Sequence, residues 1–388
     1  MDTNGDIIRD IDIDIDIDVI VIGGGQAGLS VSHHLAERGI EHLVLDAAAH
    51  IGDAWRNRWD SLRLFTPARY DGLDGMDFPG KKDAWPTKDD MADFLQAYAA
   101  RFALPVRSGM RVESLTRHGD GFVVRCETAT FTAHQVIVAM SNYQVPRVPA
   151  FADGLDQGIC QLAAGAYRNP GQLAPGRTLI VGAGNSGAEI AKDLAATHDV
   201  VLAGTSTGEI PFASTSFVNR HLVVHILNRF VFTRILSVDT AIGRKARPAV
   251  MTHGVPLIRV KMKELAALGV TRAGRLAGVT GGMPTLEDGT TIEVANIVWC
   301  TGFSPGFSWI RMPILDARGE PEHDRGIVPS APGLYFIGLH FLTSMASAMV
   351  HGVGRDAERI ADEVERKMGA TVRRQRVVST PAPGAWTP

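Results

Sequence analysis

The run Asp18-Val19-Ile20-Val21-Ile22-Gly23-Gly24-Gly25-Gln26-Ala27-Gly28 decides the reading of this 388-residue chain. Its four consecutive β-branched residues predict a short strand buried in a parallel sheet. The glycines that follow have the spacing GxGxxG, and each has its own task. Gly23 permits the tight turn, Gly25 lets backbone approach a pyrophosphate, and Gly28 lets the next helix pack closely. That helix is expected from Gln26 to Arg38, with Gly39 stopping it, and its first N–H groups face the anion. His42-Leu43-Val44-Leu45-Asp46 reads as the second strand. Asp46 then stands where a carboxylate accepts hydrogen bonds from a ribose diol.

The pattern recurs. Thr178-Leu179-Ile180-Val181 leads into Gly182-Ala183-Gly184-Asn185-Ser186-Gly187, then a helix through about Thr197 and a strand Val200-Val201-Leu202-Ala203. One site is enough for a dehydrogenase, whereas two suit an enzyme that passes a hydride from a nicotinamide to a flavin. The last strand ends in Gly204-Thr205. An acid there would favour the NAD ribose and an arginine the 2′-phosphate of NADP, so the choice between NADPH and NADH stays open.

Composition excludes other classes. With 45% apolar residues the chain can bury large cores, and a net charge of −3 gives no field that would steer it to nucleic acid. The acidity belongs to residues 1–18, where seven Asp oppose Arg9. Within them Ile11 to Asp18 alternate strictly, a pattern in which a two-residue slip changes nothing, so its register is undetermined. Cys126, Cys160 and Cys300 are widely spaced without CxxC, which excludes a disulfide framework and a redox dithiol. The 13 histidines lack ligand-like spacing, so no metal site is expected. There is no basic leader with an apolar run and no apolar stretch of spanning length, which points to a cytoplasmic protein.

Beyond the two turns the chain carries Gly52-Asp53-Ala54-Trp55-Arg56, Trp59-Asp60-Ser61-Leu62-Arg63-Leu64-Phe65-Thr66, Trp85-Pro86-Thr87, Tyr167-Arg168-Asn169-Pro170, Cys300-Thr301-Gly302-Phe303 and Gly333-Leu334-Tyr335-Phe336-Ile337-Gly338. Over about residues 18–365 it resembles the two-dinucleotide-binding-domain flavoproteins, and among them the flavin-containing and class B monooxygenases. The resemblance implies an α/β fold of two Rossmann-like domains, the second inserted into the first. FAD would occupy the first turn and NADPH or NADH the second. The reduced flavin would react with O2 to a C4a-peroxyflavin that oxygenates a small, fairly apolar substrate.

The resemblance also distributes roles. Trp55, Trp59, Phe65 and Trp85 would wall the isoalloxazine, Arg56 and Arg63 would meet phosphate or nicotinamide, and Thr66 would hydrogen-bond near the flavin C4a edge. Thr301-Gly302 ends a buried strand where the chain crosses back, Gly338 ends another, and a helix from about Ser344 to Lys367 would aim its N-terminus at the flavin. Tyr167 is the aromatic that remains of the class B fingerprint, whose other positions hold Gln157, Ile159 and Ala163. These departures, with Ala164 and Thr205, fall on nicotinamide use. They keep open an FAD oxidase, dehydrogenase or biosynthetic tailoring enzyme, or a low-turnover flavoprotein at a membrane surface. Leu339 stands where many flavoproteins have an acid for the ribityl chain.

The expected organisation is an acidic extension at 1–16, an FAD-binding domain of 17–155 and 295–370, a NAD(P)-binding domain of 156–294, and a mobile tail at 371–388. Within the second domain, about 208–263 reads as a lid or substrate insertion. Its basic, interrupted apolar run is too charged to span a bilayer, and membrane-surface contact is not favoured. Substrate identity and oligomeric state are not legible.

Overall fold

The computed structural model describes residues 15–209, 226–253 and 255–379. In chain order the elements are β1 (Ile15–Ile22), α1 (Gln26–Glu37), β2 (His42–Leu45), α2 (Asp53–Arg56), α3 (Lys88–Arg101), β3 (Val106–Arg107), β4 (Val112–His118), β5 (Gly121–Cys126), β6 (Thr130–Val138) and β7 (Val145–Pro146). Then follow β8 (Cys160–Ala163), β9 (Arg177–Val181), α4 (Asn185–Leu194), β10 (Asp199–Ala203), a π-helical stretch Leu227–Ile235, α5 (Ala241–His253) and α6 (Met262–Ala267). The chain continues with β11 (Thr271–Ala273), β12 (Leu276–Thr280), β13 (Met283–Leu286), β14 (Asn296–Trp299), β15 (Phe303–Ser304), β16 (Leu334–Phe336) and α7 (Val350–Ser379).

Two sheets organise these elements. The first has the order β3-β2-β1-β6-β5-β4, with β16 also pairing β6, and the second is β11-β10-β9-β14-β8. The central pairs β1–β2, β1–β6, β9–β10 and β9–β14 are all parallel, which accounts for their unbroken apolar runs. On one face of the first sheet, Val19, Val21 and Val44 meet Leu29 and Leu35 of α1, Phe94 and Tyr98 of α3, and Val353 and Ile360 of α7. On the other, Ile20, Ile22 and Leu43 pack with Phe307, Ile310 and Leu342. In the second sheet Ile180, Leu202 and Val298 pack on Ile190 and Leu194 of α4, while Leu179, Val201 and Ile297 pack on Leu155 and Ile159. This is the mixed α/β, doubly wound arrangement expected from the two turns.

Several boundaries differ from the sequence reading. β1 starts at Ile15, because Ile15 and Asp16 pair with Phe131 and Thr132 and the Thr132 hydroxyl donates to Asp16 at 2.6 Å. The buried run Val19–Ile22 fixes the register that the Ile/Asp repeat leaves open. Residues 1–14 of the acidic extension lie outside the described residues. α4 ends at Leu194 rather than near Thr197. α7 begins at Val350 rather than near Ser344, because the backbone N–H groups of Thr343 and Ser344 both donate to the Ser347 hydroxyl in a turn ahead of it. α7 also runs on to Ser379, into the segment read as a tail, and residues 380–388 lie outside the description. Of the segment read as a lid, the π-helical stretch and α5 are described, while 210–225 lie outside. Among the described residues no helix is long and apolar enough to cross a membrane.

Candidate functional site

The first glycine turn is built as its spacing requires. Gly23 has φ +111°, and a Cβ there would lie 3.0 Å from the Ala139 carbonyl oxygen at the end of β6. A Cβ on Gly28 would lie 1.8 Å from the Gly23 carbonyl oxygen, so α1 seats on the turn only with glycine there. Gly25 differs from both. Its φ of −78° and ψ of −171° suit any residue, and a Cβ would meet nothing within 4 Å. No protein neighbour asks for glycine at that position, whereas close approach of a pyrophosphate does. Asp46 closes the site: its Oδ2 accepts from the Gly24 N–H at 2.5 Å and its Oδ1 from the Ala48 N–H at 2.7 Å.

The second turn repeats these features. Gly182 has φ +111°, a Cβ on Gly187 would lie 1.9 Å from the Gly182 carbonyl oxygen, and Gly184 (φ −80°, ψ −171°) again faces open space. Asn185 accepts from the Ile258 N–H at 2.9 Å and donates to the Val255 and Pro256 carbonyls, which staples the 255–258 segment over the turn. The residues present therefore fit two dinucleotides.

A cavity of about 850 Å3 runs between the turns, from Gly23, Gly25, Gln26 and Asp46 at one end to Asn185 and Ser186 at the other. Trp55, Trp59, Arg63, Phe65, Thr66, Trp85 and Gly338 line it, as do Leu227, Phe232 and Val250 from the segment read as a lid. Trp55 Nε1 donates to Gln26 Oε1 at 3.3 Å, tying α2 to the first turn. Arg63 Nη1 donates to the Trp85 carbonyl at 3.0 Å. Residues at the start of α7, Val350, His351 and Val353, also face the cavity. A helix N-terminus placed there favours negative charge.

Other expected site residues are placed elsewhere. Arg56 is bound to the Ile51 carbonyl, Asp53 and Asp93 and is absent from the cavity wall, because α2 makes a single turn that points it at α3. Tyr167 is fully buried in the second core and its hydroxyl donates to Asp193 at 2.7 Å; burial and that carboxylate push its acidity far down. It anchors a helix and does not reach the cavity. The Thr301 hydroxyl donates to the Arg147 carbonyl and the Gly302 carbonyl accepts from the Arg147 N–H at 2.9 Å, so this pair joins the two crossovers beside β7 and β15. Thr205 is exposed at the surface. Leu339, at the position of the expected acid, is buried core.

Four residues escaped the sequence reading. The Thr66 hydroxyl donates to Asp71, a fully buried carboxyl whose second oxygen has no partner among the described residues. Burial pushes Asp71 up to about 7, against which the Thr66 hydrogen bond works. Glu189, on α4 and on the cavity wall, is likewise pushed up to about 7 by burial, with Arg259 opposing at 3.4 Å. Arg272, on β11, reaches across to the end of β10 and donates to the Gly204 carbonyl at 2.6 Å. Arg58 lies on the cavity wall, and among the described residues its guanidinium donates only from Nε, to the Ala54 carbonyl at 3.1 Å.

Two dinucleotide turns opening on one cavity define a flavin-dependent oxidoreductase served by a nicotinamide. The family model described as pyridine nucleotide-disulphide oxidoreductase matches residues 20–240, and the chain belongs to that family. An uncharacterized CzcO-like oxidoreductase of Geobacillus kaustophilus is 35% identical over 349 residues, 89% of this chain and 97% of that protein. The indole-3-pyruvate monooxygenase YUCCA6 of Arabidopsis thaliana is 26% identical, covering 89% of each chain. Among solved structures, the flavin-containing monooxygenase of Stenotrophomonas maltophilia superposes with a TM-score of 0.73 at 26% identity, over 91% of this chain and 99% of that one. The chain is thus an oxidoreductase that resembles flavin monooxygenases along most of its length. It lacks the dithiol of the family's disulphide branch: Cys126, Cys160 and Cys300 are all free, and burial pushes the Cys300 thiol up to about 12.

Proposed function

We propose that the protein is an FAD-dependent monooxygenase reduced by NADPH or NADH, acting on a small, largely apolar substrate. FAD belongs to the unit built on the first sheet, about residues 17–155 and 300–370, and the nicotinamide cofactor to about 156–299; the boundary read at 295 moves because β14 (Asn296–Trp299) pairs β8 and β9 in the second sheet. The observation that carries the reading is the single cavity joining both glycine turns, since hydride transfer needs donor and acceptor rings in contact. The names of the Stenotrophomonas and Arabidopsis relatives support the oxygenase class.

When bound, the flavin supplies hydride acceptance and O2 activation. The protein supplies placement and dryness. The wall of Trp55, Trp59, Phe232 and Phe341 excludes water from the reacting region. Thr66, with its proton directed to Asp71, turns its lone pairs toward the cavity as acceptors. Arg259 Nη1 donates to the Arg63 carbonyl at 2.8 Å and also faces Glu189, so one guanidinium ties the flavin-side loop to the nicotinamide-side helix.

For NADP, Arg272 offers the guanidinium that the β10 strand end lacks. It stands beside Gly204, where the adenosine ribose of a dinucleotide lies in this fold, and it has no carboxylate partner among the described residues.

The test is to reconstitute with FAD, add NADPH in air, and compare H2O2 formed with NADPH consumed. With a substrate present the ratio is expected to fall well below one. Peroxide equal to NADPH with every candidate substrate would make the protein an oxidase, and no NADPH or NADH consumption would remove the nicotinamide from the reaction.

A further inference from the structure

We infer that Arg58 is a carboxylate receptor in the substrate region of the cavity, and that the substrate is an organic carboxylate with an apolar or aromatic tail. The inference rests on the monooxygenase reading and adds the substrate class.

The starting observation is an unmatched charge. Arg58 contributes to the cavity wall, and the only hydrogen bond of its guanidinium among the described residues runs from Nε to the Ala54 carbonyl. Both terminal nitrogens are left for something else. Its sequence neighbour Arg56 shows the usual alternative, with Asp53 at 3.3 Å and Asp93 at 2.8 Å. The groups that act electrostatically on Arg58 are the Tyr143 phenol and a second guanidinium, Arg168, and no carboxylate is among them. Arg168 is itself occupied by the Gly165 and Tyr167 carbonyls. The nearby Asp60 accepts from Asn169 at 2.8 Å. Burial holds the Arg58 guanidinium below its ordinary range. A half-buried cation with no carboxylate beside it gains from a ligand that brings the opposite charge.

The surroundings say which anion. Each dinucleotide pyrophosphate already has a helix N-terminus, α1 at Gly25 and α4 at Gly184. A 2′-phosphate would belong by Gly204, at the far strand end. Arg58 instead faces Tyr143, which sits just before β7, with its ring edge-on to Phe303 at 5.5 Å and to His340 at 4.9 Å. A forked donor beside an aromatic panel matches a planar carboxylate on an apolar body. Two other arginines on the wall, Arg63 and Arg111, are both exposed to water, and Arg63 also donates from Nη1 to the Trp85 carbonyl.

The test uses the FAD-reconstituted protein and calorimetric titration with phenylacetate, its neutral isostere phenylacetamide, and 2′,5′-ADP as a phosphate probe. Wild type is expected to bind phenylacetate about 10- to 150-fold more tightly than the amide, the range for one charge-assisted contact. Arg58→Gln should erase that preference while leaving FAD content, amide binding and 2′,5′-ADP binding unchanged, and Arg58→Lys should keep part of it. No preference in wild type would overturn the inference. So would an Arg58→Gln protein that loses FAD or 2′,5′-ADP while keeping its preference for phenylacetate, because Arg58 would then hold a cofactor phosphate. Should Arg58→Gln not fold, the wild-type acid-to-amide ratio and Arg58→Lys still decide. None of these titrations involves turnover, so failure of NADPH to be consumed would sink the monooxygenase reading without touching them.

Discussion

The two glycine turns share a backbone and differ at one strand end. Gly23 and Gly182 have the same φ of +111°, Gly25 and Gly184 face the same open space, and Gly28 and Gly187 press equally hard on the turn. Between the first two glycines, however, the first turn has Gly24 and the second has Ala183. A Cβ on Gly24 would lie 2.6 Å from Asp46 Oδ2, so a side chain there would push aside the acid that follows β2. β10 ends in Gly204 with no acid, and Ala183 fits, buried to 3% exposure. In the proposed function the common part serves what every dinucleotide has, the pyrophosphate. The part that differs concerns the ribose, and in the second turn the side chain at that place comes from β11, as Arg272.

The largest effects are expected at the glycines that no protein contact explains. Gly25→Val should leave the purified protein colourless, since the side chain would occupy the place of the pyrophosphate. Gly184→Val should keep the colour and lose reduction by either nicotinamide. Chromophore content and anaerobic bleaching read the two apart, and equal loss of FAD in both variants would erase the distinction between the turns.

Next in size is the ribose end. Arg272→Ala is expected to lower the NADPH-to-NADH ratio of kcat/KM by about 10- to 150-fold, the value of one charge-assisted phosphate contact. Adding Thr205→Arg in that background should restore part of the preference. An unchanged ratio in Arg272→Ala would place the 2′-phosphate away from Gly204.

The smallest expected effect separates two buried acids, one on each side of the cavity. Asp71 is raised from 3.8 to about 7 and Glu189 from 4.5 to about 7, so between those limits the folded protein holds a proton that the unfolded chain has lost. Each therefore contributes to a fall in stability as pH rises across that window, with no further change above it. Asp71→Asn should remove its share and stabilise the protein at pH 8 but not at pH 4. Glu189→Gln should gain less, because Arg259 partly offsets the charge it removes. Melting temperatures at the two pH values check both. A larger gain for Glu189→Gln would reverse the order of the two environments.

Much of the fold was legible because both turns place strand, glycines and helix within about twenty residues, where local geometry dictates residue type. The site was legible only where it is equally local. Gly25, Gln26 and Asp46 were read from their own segments, Trp55 and Thr66 came from the resemblance, and all five line the cavity. Arg272 escaped because it meets Gly204 across 68 residues of sequence, through a strand pairing that no local pattern announces. Arg56 was expected to face a cofactor and falls off the cavity wall for another reason. In a one-turn helix there is no periodicity to say which of two arginines, two residues apart, faces inward. Tyr167 was carried over on its place in a fingerprint, and only the packing around Asp193 shows that it holds a helix. Asp71 was invisible, since nothing in Arg69-Tyr70-Asp71-Gly72 indicates that its carboxyl would be buried.

The most direct measurement is anaerobic stopped-flow mixing of FAD-loaded wild type and Gly184→Val with NADPH, followed at the flavin absorbance. Two nucleotide sites on one cavity require complete bleaching of wild type and none of Gly184→Val while its FAD content stays full. Bleaching of Gly184→Val at the wild-type rate would show that the second turn does not hold the hydride donor.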